Sequence, residues 1–283
     1  MTTEVREKSK ALQQCIRFGL CFLLAAAVLL GFLLLSTLVP RSAIKPRMQT
    51  SAEFLCEGEL FGYVWDGVPG SRIDRYADSI LLGIAWQFDS ENSLRSVMES
   101  AYYHLYYQDE NKNLLDAVEQ DLPANQQYLR YWHGSAGIVR VLMSCLTLPQ
   151  IYTWHAVLIG VLFLGLIVRL YLRQRAIPAA ALLVGMIGVS LWFVPLSLEY
   201  TWIFLIVMVQ LHIILFPSFP KDWDKRCFLF LISGIVTNYL DFLTCETVTL
   251  LLPLLFLLLH VSYGAGTIVG IVKMLGIKIS GKR

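Results

Sequence analysis

Long uncharged runs alternate with polar segments along this chain. The first run, residues 18–39, reads FGLCFLLAAAVLLGFLLLSTLV and carries no charged side chain. A run of that length can cross a hydrocarbon core of roughly 30 Å as a helix. It also exceeds the roughly 7 to 15 apolar residues that a secretory signal peptide contains. The pattern therefore predicts an uncleaved transmembrane helix at 18–39, preceded by a cytoplasmic tail at 1–17.

Apolar runs return in the second half of the chain. We predict helices near 151–170, 177–197, 200–216, 227–243 and 247–263. The predicted fold class is an all-α integral membrane protein with about six transmembrane helices, of which helices 2–6 lie within 150–263. Four prolines lie at or beside the breaks between the runs, where proline disturbs a helix least: Pro178, Pro195, Pro217 and Pro220.

The composition agrees with a membrane protein. Hydrophobic residues make up 56% of the chain and charged residues 16%, whereas about 25% of the residues in a soluble domain are charged. The six cysteines form no CxxC pair and show no regular spacing. They therefore indicate neither a metal site nor a disulfide framework.

The distribution of basic residues predicts how the chain is oriented. Lys and Arg occur in the N-terminal tail, in two short connections and in the tail at 264–283. The short connections on the other side carry Glu199, Asp241 and Glu246 and no Lys or Arg. Because basic residues concentrate in cytoplasmic loops, we expect a multi-pass protein of the cell membrane with both termini in the cytoplasm.

The segment at 40–149 is predicted to form an extracytoplasmic helical domain between the first and second spans. Amphipathic patterns predict helices at 73–86, 92–107 and 111–122, and residues 137–148 predict an interfacial or re-entrant helix. Tyr and Trp are frequent here, and they favour the headgroup level of a bilayer. We therefore expect the domain to rest on the outer leaflet, with membrane lipid as a partner. Its mildly acidic balance argues against nucleic acid as a partner.

Three stretches resemble known membrane proteins. IDRYADSILL, residues 73–82, looks like the segment that carries the first-loop aspartate of the aminoarabinose and mannosyl transferases of the GT-C superfamily. YLRYWHGSAGIVRVLMSCLTLPQIYTWHAVLIGVLF, residues 128–163, looks like their stretch leading to the second span. TNYLDFLTCETVTLLLPL, residues 237–254, is similar to a segment of multi-span Gram-positive bacterial proteins with an RYWHG motif. The resemblance implies transfer of a sugar from a polyprenyl-phosphate donor to an extracytoplasmic acceptor.

The same resemblance implies that Asp74 is catalytic and activates the acceptor hydroxyl, which is general-base chemistry. The alternative is a charge at a helix start, favoured by the helix dipole. Asp78, one turn further on, either tunes Asp74 or holds a divalent metal, the candidate cofactor, or it is a solvated helix residue. Arg75 is either a phosphate ligand or the partner of a neighbouring acid.

Four further residues are candidates for substrate binding. Arg130 and Arg140 are suited to hold a lipid phosphate by bidentate hydrogen bonds, and Arg140 interrupts an apolar run and so needs a partner. His133 is a candidate phosphate contact or acid. The alternative for these three is an interfacial aromatic cluster with snorkelling arginines. Asp241 belongs either to a site on the outer face or to a solvated loop.

Two other functional classes stay open. The chain is either an enzyme or a non-catalytic scaffold, including the N-terminal part of a larger protein that works with a second polytopic subunit. A transporter is the third class. The sequence shows no inverted repeat and few ionisable residues within its spans, whereas a translocation path is normally lined by such residues.

Overall fold

The computed structural model describes residues 3–129, 131–216, 219 and 222–240. The regular secondary structure of these residues is helical, with no β-strand among them, which confirms the predicted helical class. Two short 3₁₀ helices, Pro69–Ser71 and Val194–Leu196, accompany the α-helices. The α-helices in chain order are α1 (Thr3–Ser36), α2 (Arg41–Cys56), α3 (Arg75–Gln87), α4 (Ser93–Glu99), α5 (Glu110–Glu119), α6 (Gly134–Leu142), α7 (Leu148–Leu172), α8 (Ala176–Gly188), α9 (Leu198–Ile214) and α10 (Trp223–Leu240).

Two of these helices are long and apolar enough to cross a membrane. The apolar part of α1, Leu12–Ser36, and all of α7 have 25 residues each, which corresponds to about 37 Å of helix. Only 6% of the most apolar stretch of α1 and 22% of that of α7 are buried by the rest of the protein. Such exposure of apolar side chains fits helices that face lipid. The two helices coincide with the first two predicted spans.

The remaining apolar runs form shorter helices. The run predicted at 177–197 is not one helix, because α8 ends at Gly188 and the 3₁₀ turn containing Pro195 follows. Helices α9 and α10 overlap the runs predicted at 200–216 and 227–243. The run predicted at 247–263 lies outside the described residues. Helices α7, α8 and α9 pack together around a small apolar core that includes Ile159, Leu166 and Met208.

Helices α2 to α6 form a domain between α1 and α7, and α3 lies at its centre. Every residue of α3 from Ala77 to Gln87 is buried. This helix packs against α2, α5 and α6. Helix α2 was not predicted from the sequence, although it buries residues at helical spacing: Ile44, Met48, Ser51, Ala52 and Leu55. A helix buried as completely as α3 can position side chains at both of its ends.

The remainder of the domain differs in part from the predicted helices. The helix predicted at 111–122 is α5, which Asp109 caps by accepting a hydrogen bond from the Lys112 N–H at 3.0 Å. The helix predicted at 92–107 is wrong beyond Glu99, because Ser100 adopts a left-handed conformation with φ 42°. Tyr102 then pairs with Gln126 in an isolated β-bridge.

Helix α6 lies directly against α1. A Cβ atom on Gly137 would come within 2.8 Å of Leu33 Cδ1 in α1, so a larger residue would require the Leu33 side chain to shift. Helices α6 and α7 are separated by a short turn. The domain is therefore bound to α1 by packing and to both α1 and α7 by chain continuity.

Candidate functional site

The first residue of interest, Asp74, caps the N-terminus of α3. Its Oδ1 accepts a hydrogen bond from the Ala77 N–H at 2.9 Å, and the side chain is half-buried. Burial raises the pKa of Asp74, while hydrogen bonds from the backbone N–H groups of Ala77 and Tyr76 act in the opposite direction. Asp74 thus lies at the helix start, where one of the two sequence interpretations placed a charge, and the structure adds that it caps the helix. It is also a partly accessible carboxylate whose pKa is raised by burial.

The second carboxylate, Asp78, is completely buried, with 0% of its surface exposed. The Tyr152 hydroxyl of α7 donates a hydrogen bond to its Oδ2. The backbone N–H of Leu198, at the start of α9, donates to its Oδ1 at 2.9 Å, and Ser197 Oγ lies 3.5 Å from the same atom. One carboxylate therefore joins α3 of the domain to α7 and to the N-terminus of α9.

Burial raises the pKa of Asp78 to about 7. Desolvation disfavours the ionised form, and the hydrogen bonds from Tyr152 and Leu198 offset only part of that effect. The partial positive charge at the start of α9 also favours an anion there. Asp78 consequently titrates near neutral pH inside the protein. Its complete burial places it out of contact with a substrate in this conformation, and a catalytic role for it stays a prediction.

Arg75, the third predicted residue at this end of α3, holds the end of α2. One guanidinium nitrogen, Nη1, donates to the carbonyl oxygens of Phe54 and Leu55 at 2.8 and 2.9 Å. The guanidinium also lies over the Phe54 ring, 5.0 Å from its centroid. These contacts satisfy carbonyl groups that the last turn of a helix leaves without partners. Arg75 thus performs a structural task, and phosphate binding by it stays a prediction.

Arg140 is buried at the other end of α3, with 1% of its surface exposed. Its guanidinium donates to the carbonyl of Val39 through Nε and Nη2, at 3.0 and 2.6 Å, and to that of Ala85 through Nη1, at 2.5 Å. Burial, with repulsion from Arg41, lowers the pKa of Arg140 to about 10, so it is still a cation at neutral pH. The partner that the sequence required is therefore a set of backbone carbonyls.

Sequence reasoning missed Arg41, which binds the same helix end. Its Nε donates to the Trp86 carbonyl at 3.1 Å, and its Nη2 donates to the Gln87 side-chain oxygen at the same distance. Cations are favourable at a helix C-terminus because the terminal carbonyls carry partial negative charge. The position of Arg41 directly after the first apolar run was the available sequence signal. The neighbouring residues gave no indication of its hydrogen-bond partners.

His133 begins α6 in a left-handed conformation and is fully buried. Its Nε2 donates to the Tyr128 carbonyl at 2.8 Å, and its ring packs against those of Tyr128 and Tyr131. Burial lowers the pKa of His133 to about 4, so the ring is neutral at pH 7. This environment matches the aromatic-cluster alternative for His133, and an acid or phosphate-binding role stays a prediction.

Arg130 and Asp241 lie outside the described residues. Within the part of the chain that the structure describes, no group of three or more His, Cys, Asp or Glu side chains is placed to hold a metal ion. The geometry thus brings Asp74 and Asp78 together at the N-terminus of α3 and sets Arg140 at its C-terminus. A further acid next to Asp78, Glu199 at the start of α9, is also buried.

Comparisons with known proteins give no relative: no family model matches this chain, and neither a curated protein nor a solved structure matches it. The fold defines a class, an all-helical protein with two helices long and apolar enough to cross a membrane. The resemblance to GT-C transferases, which was drawn from short motifs, therefore stays a prediction.

Proposed function

We propose that this chain is a multi-pass protein of the cell membrane, with about six spans, cytoplasmic termini and residues 40–149 outside the cell. Two observations support the proposal. The helical domain lies between the two 25-residue apolar helices α1 and α7. The short connections divide into basic and acidic sets, as the positive-inside rule requires.

The proposed activity is transfer of a sugar from a polyprenyl-phosphate donor to an acceptor hydroxyl. In that reaction Asp74 accepts the hydroxyl proton while the oxygen attacks the anomeric carbon and the polyprenyl phosphate leaves with the electrons of the broken bond. A carboxylate whose pKa lies above its ordinary value is a better general base near neutral pH.

The state of Asp74 is the observation that carries this proposal. One oxygen of Asp74 is occupied by the helix cap, the side chain is half-exposed, and burial raises its pKa. Asp78 lies one turn away and takes a positioning role, because it holds α3 against α7 and α9. The acid proposed to touch the acceptor thus lies on a helix that is hydrogen-bonded to α7 and α9 through Asp78.

The substitution Asp74→Asn tests the proposal without removing the helix cap, because Asn caps helices as well as Asp. We expect Asp74→Asn to lower sugar transfer by about 100-fold or more, which is the usual contribution of a general base. The measurement is transfer of radiolabel from polyprenyl-phosphate sugars in membranes that contain the full chain.

The control variant Asp74→Ser retains a capping side chain and also lacks the carboxylate, so it should be equally inactive and equally well inserted. Full activity of Asp74→Asn would contradict the catalytic assignment. No transfer from any donor by the unmodified chain would do the same.

A non-catalytic membrane scaffold is the second candidate, and a different observation favours it. Asp78, Arg75, Arg140 and His133 all make contacts within the protein that a structural role explains. A scaffold requires a partner, and co-purification of a second polytopic chain with both the unmodified protein and Asp74→Asn would favour it.

A further inference from the structure

Three arginines lie close together in the chain where α7 ends and α8 begins. Arg169 lies in the last turn of α7, Arg173 directly follows that helix, and Arg175 directly precedes α8. Gln174 has φ 56°, a left-handed conformation that ends α7 and turns the chain. Arg173 and Arg175 are exposed, and Arg169 is half-buried. We call these three arginines the arginine surface.

Most hydrogen-bond donors of the arginine surface are unused within the described part of the chain. Arg169 Nη1 donates to the His212 carbonyl at 3.0 Å, and the guanidinium lies 4.5 Å from the centroid of the Phe216 ring. A guanidinium carries five N–H donors. The side chains of Arg173 and Arg175 make no hydrogen bond or ion pair with any described residue. Arg169 is thereby held in place by α9 while most of its donors can still bind a ligand.

The charge of the arginine surface has no counter-charge among the described residues, where no carboxylate forms an ion pair with it. Arg169 also contacts the connection that follows α9, through Phe216. That connection and the start of α10 carry three basic and two acidic residues at 221–226, so they add to the positive charge. A concentration of cations in this state attracts an anionic partner.

The side chains next to the arginines indicate which anion fits. Val168, Tyr171 and Leu172 are 54%, 74% and 75% exposed on the same last turns of α7. A soluble phosphate compound would leave these side chains in water. An anionic phospholipid supplies a phosphate for the guanidinium groups and hydrocarbon for the neighbouring apolar surface, so it matches both features.

The position of the arginine surface along α7 agrees with such a partner. Near the start of α7, Tyr152 donates a hydrogen bond to Asp78 of the helical domain. Arg169 follows Tyr152 by 17 positions, or about 25 Å along the helix axis. The hydrocarbon core of a bilayer is about 30 Å thick. With α7 across the membrane and the domain outside, the arginines therefore lie at the headgroup level of the inner leaflet, where anionic lipids are present.

We infer that the arginine surface binds the phosphate of an anionic phospholipid of the inner leaflet, whose acyl chains cover the exposed side chains of α7. Guanidinium groups bind phosphate by paired, charge-assisted hydrogen bonds. The inference rests on the proposed placement of α7 in the membrane. It does not depend on sugar transfer, because Asp78, one turn from Asp74, contacts the other end of α7.

A competition between two lipids tests the inference on the unmodified full chain in detergent. The lipids are dioleoyl phosphatidylglycerol, which is anionic, and dioleoyl phosphatidylcholine, which has the same acyl chains and no net charge. Native mass spectrometry measures the ratio in which the two are retained. We expect the anionic lipid to be preferred by about 5- to 30-fold, the range in which one or two arginines each contribute a factor of about five.

Charge variants assign the preference to the arginine surface. The double variant Arg173→Gln with Arg175→Gln removes two exposed cations that make no side-chain contact with the described residues, so the protein should fold normally and the ratio should fall to about 2 or less. Lys8→Gln with Lys10→Gln is the matched control. It makes the same change in charge in the predicted cytoplasmic tail, and it should keep the preference of the unmodified chain.

Equal retention of the two lipids by the unmodified chain would overturn the inference. An equal fall of the ratio in both double variants would overturn it as well, since it would show attraction to net charge rather than to this surface. Displacement of the anionic lipid when inorganic phosphate replaces chloride at constant ionic strength would assign the arginines to a soluble phosphate compound instead.

The outcome can be separated from that of the proposed function. Cysteine labelling tests the membrane placement on its own, and Asp74→Asn tests sugar transfer without changing the arginine surface. A lipid ratio of 1 in a chain whose placement is supported by labelling would therefore contradict this inference alone.

Discussion

A single buried carboxylate connects parts of the chain that are far apart in sequence. Asp78 in α3 accepts hydrogen bonds from Tyr152 and from the backbone of Leu198, which lie 74 and 120 positions further along the chain. A buried acid with such donors holds its neighbours in one arrangement, and it also makes that arrangement depend on protonation. Asp74 and Glu199 are the other acids close to it, and Arg72, Arg75, Tyr152 and Tyr200 complete the titratable groups nearby.

Stability should therefore depend on pH through Asp78. Burial raises the pKa of Asp78 to about 7 in the folded chain from its ordinary value of 3.8 in the unfolded chain, so only the folded state binds the proton between those values. The stabilisation that Asp78 contributes is then fully present below about pH 4 and is lost as pH rises through 7, by roughly 4 kcal/mol for a shift of this size. Thermal unfolding of the detergent-solubilised chain between pH 4 and 8 measures the effect.

The variant Asp78→Asn should flatten this profile, since Asn can still accept from Leu198 and does not titrate. Asp121→Asn is the matched control, because Asp121 is exposed and its pairing with Lys45 at 2.5 Å is a surface contact that contributes little. An identical pH profile for the unmodified chain and Asp78→Asn would contradict the assignment.

The roles of some of these residues could be predicted from the sequence, and the partners of others could not. The pattern before the apolar face of α3 predicted that Asp74 is either a charge at the helix start or a base, and the structure adds that it caps that helix. The partners of Asp78 could not be predicted, because a hydrogen bond between residues so distant in sequence leaves no local pattern. The same holds for Arg140, whose need for a partner was clear but whose acceptors are backbone carbonyls.

At the scale of the elements, α3 is held at both ends. Asp78 lies in its first turn, and two arginines, Arg41 and Arg140, donate to the carbonyls of its last turn. Arg140 also binds Val39 just beyond α1, so it links the ends of α1 and α3 to α6. The charges at each end of α3 thus connect the domain to the helices proposed to cross the membrane.

Replacing Arg140 by Met should destabilise the protein by about 3 kcal/mol. Met retains much of the apolar volume but removes the donors to the carbonyls of Val39 and Ala85, and hydrogen bonds to a charged group contribute about 1.5–3 kcal/mol each. Chemical denaturation of the purified chain measures the loss.

Arg95→Met provides the comparison, because Arg95 is exposed and pairs with Glu99 within one helix at 2.9 Å. Such surface pairs contribute a few tenths of a kcal/mol, so this variant should unfold almost as the unmodified chain does. Equal stability of the two variants would refute the role given to Arg140.

The elements with strong periodicity were the ones that the sequence predicted. Helices α3, α5 and α7 lie where apolar spacing indicated them. Helix α2 was missed because Pro46 lies inside it, and an internal proline normally argues against a helix. The predicted helix at 92–107 extended too far, since Ser100 adopts a left-handed conformation and Tyr102 then pairs with Gln126 in an isolated β-bridge.

At the scale of the whole molecule, a helical domain outside the cell and on the membrane is what we propose. Composition and the length of the apolar runs were enough to indicate the membrane class, and α1 and α7 have the length and exposure that this class needs. The side of the membrane on which the domain lies is inferred from the distribution of basic residues. The fold of the chain alone does not determine that side. A direct topological measurement is therefore the decisive one.

Cysteine labelling in intact cells provides that measurement. The natural Cys56 is a poor probe, because burial raises its pKa to about 11 and leaves little thiolate to react. A cysteine-free chain should instead carry Tyr106→Cys, at a position 94% exposed in the domain, or Ser9→Cys in the predicted cytoplasmic tail. The reagent is a membrane-impermeant maleimide.

We expect Tyr106→Cys to be labelled in intact cells and Ser9→Cys to be labelled only after the cells are opened. Labelling of Ser9→Cys in intact cells, together with protection of Tyr106→Cys until lysis, would place the domain in the cytoplasm. That result would contradict the external placement and the proposed transfer of sugar to an extracytoplasmic acceptor.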